Sequence, residues 1–179
     1  MKKQFSMNYK ITVGADFLTK EIEKGNDKIH LQIWDTAGQE KHNSVAQGFY
    51  RGSELCVLVF DQTDVQSFKD VEIWRKRLLE ILNPAEGEKF PFVLLGNKND
   101  LKDSIKVKQE DIDNYCLNHN NMPYFSVSAQ SNSNIEEAFY KVADLALERN
   151  TKNEDIVLPE LKSIVIEQPK ESGRKCCLK

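Results

Sequence analysis

Two kinds of hydrophobic pattern divide this chain. Asp16 to Glu23 (DFLTKEIE) and Lys28 to Trp34 (KIHLQIW) alternate apolar and polar positions on either side of Lys24-Gly25-Asn26-Asp27. Alternation covers one face of a strand, and a Gly-Asn-Asp cluster supplies a turn, so this stretch predicts an antiparallel hairpin. Further along, Leu55 to Phe60 and Phe92 to Leu95 are unbroken apolar runs, and Tyr124 to Val127 is a weaker one. A strand covered on both faces has no polar side, so these runs predict buried parallel strands.

Between them, apolar residues recur at helical spacing. Ser67-Phe68-Lys69-Asp70 resembles a capping box and opens a helix carrying Phe68, Val71, Leu78 and Leu82 on one side. A second helix is predicted from Gln109 to Leu117, and a third sets Ile135, Ala138, Phe139, Val142 and Ala146 on one face. Helices alternating with buried strands make an α/β fold with a mostly parallel sheet and an antiparallel strand at its edge. After Asn150 the periodicity fades into a charged segment with Pro159, Pro169 and Gly173. Residues 1–150 are therefore read as one domain and 151–179 as a flexible tail.

Composition narrows the picture. With 40% hydrophobic residues in 179, the chain can bury a core and is not disordered as a whole. Its 25 Lys+Arg against 28 Asp+Glu give no electrostatic reason to expect nucleic acid as a partner. The longest apolar run, Leu55 to Phe60, is far too short to span a bilayer, and no apolar segment follows Met1-Lys2-Lys3. The expected location is cytosolic unless something tethers the chain. Cys56 and Cys116 fall inside predicted elements and read as small buried hydrophobes, and no Cys or His spacing resembles a metal site.

In an α/β sheet, ligands sit at the carboxyl ends of the parallel strands. Polar motifs stand at the strand ends here: Asp35-Thr36-Ala37-Gly38-Gln39, Asn97-Lys98-Asn99-Asp100 and Ser128-Ala129-Gln130. An aspartate held at such an end can accept both the N1–H and the exocyclic amino group of guanine, whereas adenine presents the wrong pattern. A buried pairing of that kind rejects an analogue lacking it by about 10⁴–10⁵. Taken alone, Asn97 to Asp100 reads equally as a polar turn. In Asp35 to Glu40, the carboxylate can hold Mg²⁺ through water, Gly38 lets the backbone approach a terminal phosphate, and Gln39 can orient an attacking water.

These motifs together resemble the Rab family of small GTPases in the Ras superfamily, most of all its late-endosomal and lysosomal branch. The resemblance is carried by Tyr9 to Phe17 (YKITVGADF), Trp34 to Glu40 (WDTAGQE), Phe49 to Gly52 (FYRG), Gly96 to Leu101 (GNKNDL) and Ser128 to Gln130 (SAQ). It implies a small-GTPase, P-loop NTPase-like fold and a switch that binds and slowly hydrolyses GTP with Mg²⁺. It makes Gln39 the catalytic residue. Thr12 matches the switch threonine that reaches Mg²⁺ and senses the γ-phosphate, with Asp35 as the second metal-side residue. Phe5 flanks the guanine, Asn97 and Lys98 brace and cover it, Asp100 reads it, and Ser128, Ala129 and Gln130 complete the base site. Phe17, Trp34 and Phe49 match an aromatic triad shown to effectors; ordinary core packing is an equal reading of those residues.

The family usually has Arg and an aromatic after Gln-Glu, where this chain has Lys41 and His42, a departure that bears on effector or activator choice. Gln130 stands where the family has Lys. The largest departure is that no G-x-x-x-x-G-K-[ST] occurs in the sequence. In the family that loop cradles the phosphates, and the strand before it lies mid-sheet between the strands placed here at Lys28 to Trp34 and Leu55 to Phe60. The opened backbone pairs, at ~1 kcal/mol apiece, and the lost burial rival the ~5–15 kcal/mol stability of a domain. The expectation is therefore an intact GTPase whose first strand, loop and helix lie upstream of this sequence. The alternative is a short product that binds no nucleotide and acts as a protein-binding module.

Cys176 and Cys177 near the end of the tail resemble a Rab double prenylation site. Two lipid chains give stable anchoring where one is marginal. The resemblance thus implies a lipid-anchored protein on the cytoplasmic face of endomembranes, with a cytosolic pool. Its implied partners are guanine nucleotide, effectors, an exchange factor, a GTPase-activating protein and a prenylation escort protein.

Overall fold

The structure is a computed structural model that describes residues 11–12, 14–24, 27–36, 50, 52–82 and 89–153. Among these, strands β1 (Ala15–Lys24) and β2 (Asp27–Thr36) come first, followed by β3 (Cys56–Asp61), helix α1 (Val65–Ile81) and β4 (Phe92–Asn97). A short 3-10 turn at Lys102–Ser104, α2 (Gln109–Asn118), β5 (Tyr124–Ser126) and α3 (Ile135–Asn153) complete the order. The hairpin, the parallel strands and the helices fall where the hydrophobic pattern predicts them, several starting at the predicted residue and others shifted by a few residues.

Strands β3, β4 and β5 form a parallel sheet in that order, with Cys56 opposite Phe92 and Leu94 opposite Tyr124. The unbroken apolar run in β4 has its physical reason here, since Phe92 to Gly96 are buried on both sides. Leu94 and Phe92 face one cluster with Leu58, Phe60, Val71, Leu78 and Ile112. Val93 and Leu95 face a second cluster with Val127 and with Ala138, Val142 and Ala143 of α3. Cys116 is buried and Cys56 half-buried. Both are free thiols, and burial pushes that of Cys56 up to about 12.

One local expectation is corrected. Helix α1 starts before the predicted capping box: Asp64 is its N-cap, in extended conformation, with its carboxylate accepting from the Gln66 N–H at 2.9 Å. Asp caps as well as Ser and stands earlier, so the helix nucleates there. The Ser67 hydroxyl instead donates to the Asp64 carbonyl at 2.7 Å and accepts from the Asp61 N–H at 2.9 Å, stitching the helix start to the end of β3.

The hairpin is antiparallel, its pairs running from Ala15–Thr36 to Lys24–Asp27. Ile22, Ile29 and Leu31 join the second cluster, and the Lys24 ammonium meets the Asp144 carboxylate of α3. Only Ile22 of β1 is buried; Leu18 lies on the same face yet is 49% exposed. The hairpin and the parallel strands form two separate sheets, with no pairing between β2 and β3 among the described residues. That is the position at which the family resemblance calls for a further strand.

Candidate nucleotide-binding site

The carboxyl ends of β3, β4 and β5 converge on one rim. The strand β4 ends in Asn97, after which Lys98 turns the chain at φ 67°, in the left-handed region few non-glycine residues enter. Its ammonium reaches the Asp61 carboxylate at 2.7 Å, and Asp61 also accepts from the Thr63 N–H and hydroxyl at 2.8 and 2.7 Å. Partial burial pushes the Asp61 carboxyl up, but the Lys98 ammonium and the Thr63 donors outweigh it and hold it below the usual carboxylate range. Lys98 is thus parked over the end of β3, half-exposed along its stem.

The two loops predicted to face a base are clasped together. The Ser128 hydroxyl donates to one Asp100 carboxylate oxygen at 2.5 Å, and the Ala129 N–H donates to the Asn97 side-chain oxygen at 3.0 Å. Asn99 donates from its backbone to Val127 O at 3.0 Å and from its amide to Ser126 O at 3.0 Å. Ser128 is fully buried, and its hydroxyl in turn accepts from the Ser131 N–H at 3.0 Å. Among the described residues the second Asp100 oxygen accepts no hydrogen bond, and Ala129 and Gln130 lie exposed at the mouth. The Ser128 bond fixes the orientation of the Asp100 carboxylate at the rim.

On the hairpin side, the Thr12 hydroxyl lies 3.3 Å from an Asp35 carboxylate oxygen, although the two are far apart in sequence. A hydroxyl and a carboxylate fit Mg²⁺, which keeps several waters and takes one or two protein oxygens alongside phosphate. Phe17 and Trp34 are cross-strand partners with ring centroids 4.8 Å apart, and both stay exposed at 43% and 45%. Phe5, Gly38, Gln39, Phe49, Cys176 and Cys177 lie outside the described residues.

The motif reading missed one rim residue, Gln62, which is buried directly after β3 and bonded to the strand ends on which both loops stand. The signal available was a polar residue abutting an apolar run at the same sheet edge as the other motifs.

The Ras family model matches residues 1–148 of the chain. A Ras-related protein, RABG3a of Arabidopsis thaliana, is 41% identical over 177 residues, covering 97% of this chain and 85% of the relative. Ras-related protein Rab7 of Pisum sativum is 42% identical over 179 residues, covering 98% and 86%. The GTP-binding protein YPTC5 of Chlamydomonas reinhardtii is 40% identical over 179 residues, covering 99% and 86%. The relatives match almost all of this chain at such identity, and its strand ends hold the matching motifs in one place. The chain belongs to the Ras family, as a Rab7-like small GTPase of membrane trafficking.

Proposed function

We propose that the protein is a guanine-nucleotide switch of the endosome–lysosome pathway, binding GTP and GDP with Mg²⁺ and hydrolysing GTP slowly. The observation that carries this reading is the clasp at the base rim. Ser128 holds one oxygen of Asp100 and, among the described residues, leaves the other open, while the Ala129 N–H donates to the Asn97 side-chain oxygen and binds the two loops together. Asp100 receives the guanine N1–H and amino group, Ala129 and Gln130 border the guanine carbonyl, and the Lys98 stem covers the ring. Phe5 closes the opposite face of the base. Thr12 and Asp35 hold the Mg²⁺, which supplies charge stabilisation at the phosphates. Gly38 offers its N–H to the terminal phosphate, and Gln39 orients the attacking water.

Ordering of the loops around Thr12 and Gly38 in the GTP state presents Phe17, Trp34 and Phe49 to effectors, and hydrolysis releases them. Exchange factor and activating protein set the timing. Cys176 and Cys177 carry prenyl groups, delivered with an escort protein, and anchor the switch on the cytoplasmic face of late endosomal or lysosomal membrane, with a cytosolic pool. No helix among the described residues is long and apolar enough to cross a membrane, so the tail is the element assigned to attachment.

The test is a titration of the full chain with GDP and with ADP up to millimolar concentration, following the backbone amides of Asn97 to Asp100 and Ala129 by NMR. GDP is expected to shift these amides and ADP to leave them unmoved; equal responses overturn the reading. The exposed Phe17–Trp34 pair also suits a second reading, a protein-binding module that takes no nucleotide. Silence of the rim amides toward GDP favours that one.

A further inference from the structure

We infer that Gln62 is a positioning residue for base selection, its buried carboxamide fixing the strand ends from which the two base-facing loops project. This rests on the guanine reading by Asp100 proposed above. Gln62 is 5% exposed. Its amide nitrogen donates to Gly96 O at 2.8 Å and Asn97 O at 3.4 Å, and its amide oxygen accepts from the Tyr124 hydroxyl at 3.3 Å and the Ser126 hydroxyl at 3.2 Å. The orientation is forced: carbonyl oxygens only accept, so the nitrogen must face Gly96 and Asn97, and both hydroxyls can then donate to the oxygen. The Gln62 backbone adds an N–H bond to Asn97 O at 3.0 Å and receives the Lys106 and Val107 N–H groups on its carbonyl at 2.9 and 3.2 Å.

The placement of these bonds points to the loops. Gly96 and Asn97 lead into Lys98 to Asp100, and Ser126 stands just before the Ser128 to Gln130 turn. Gln62 therefore ties the end of β3 to both halves of the rim, independently of the direct Ser128–Asp100 clasp. There is no slack in the fit, because a Cβ at Gly96 would lie 2.7 Å from the Tyr124 hydroxyl and 3.0 Å from Gln62 Cγ. A buried amide costs more than an apolar residue of the same size unless its bonds are met. Here they are met on both loops at once, and what they fix is the distance between Asp100 and Ala129.

The experiment compares GMP with IMP, which lacks the exocyclic amino group, by NMR titration of the full chain and of Gln62→Met, a substitution of similar size with no hydrogen-bonding amide. The wild type is expected to prefer GMP by about tenfold, the worth of one hydrogen bond to a charged group. In Gln62→Met that preference should fall at least about threefold. A merely structural role would lower the melting temperature and weaken both nucleotides equally, leaving the ratio untouched, and that result overturns the proposal. The double variant Tyr124→Phe/Ser126→Ala removes the donors from the opposite side and should lower the ratio in the same way; it carries the test if Gln62→Met fails to fold. If the wild type binds GMP and AMP alike, the guanine reading falls first and takes the positioning role with it.

Discussion

The base rim and the hairpin are built on opposite plans. At the rim, the loops leave the buried strand β4 and the half-buried strand β5, and side chains bond one loop to the other. The hairpin carries the residues proposed above for metal and effectors on a long ribbon of which little is buried: Ile22, Ile29 and Leu31 on one face and an exposed aromatic pair on the other. The rim is thus cross-linked by its own side chains, and the hairpin exposes most of its surface. A switch needs this division, since the base must be held in both nucleotide states while the effector surface must differ between them.

The contrast is broken most severely at β4. Leu94→Ala removes a fully buried side chain beneath the rim and is expected to cost about 2–5 kcal/mol, a large share of a domain's stability. Leu18→Ala on the hairpin should stay within about 0.5 kcal/mol, because that side chain is already half in solvent. Urea unfolding of the two variants checks this, and similar losses would erase the distinction.

A smaller effect is expected from acid. Partial burial raises the carboxyl of Glu72, but Arg75, the Tyr115 hydroxyl and His119 outweigh it, so that it sits below its ordinary range, as does Asp61. A depressed carboxyl contributes stability above its unfolded-state value and loses it as pH falls through the lower folded value. The urea midpoint should therefore decline below about pH 4, and Glu72→Gln should flatten that decline. Smallest of all is Lys24→Met, which removes a half-exposed ion pair with Asp144 and should cost less than about 1 kcal/mol, with the loss shrinking further in high salt.

The parts of this molecule legible in the sequence are those where periodicity or a short motif has one physical solution. The run in β4 has no polar face, so it had to be a covered strand, and the polar motifs after β4 and β5 had to meet at one edge because parallel strands share a direction. The position of the α1 start was not legible, because Asp64 and Ser67 both make good caps and only the path leaving β3 decides between them. Nor was the role of Gln62, since a glutamine after a strand looks like any solvated turn until three strand ends close around it. The approach of Thr12 to Asp35 was expected from family likeness and not from spacing, which is silent about where a loop end lies against a distant strand.

The hairpin is also a rod. Its paired length, at about 3.3 Å per residue, runs about 30 Å from Lys24 on α3 to the end where Thr12 touches Asp35. Ile29, Leu31 and Ile33 seat this ribbon on the second cluster along much of its length, so its two ends are joined through packed side chains.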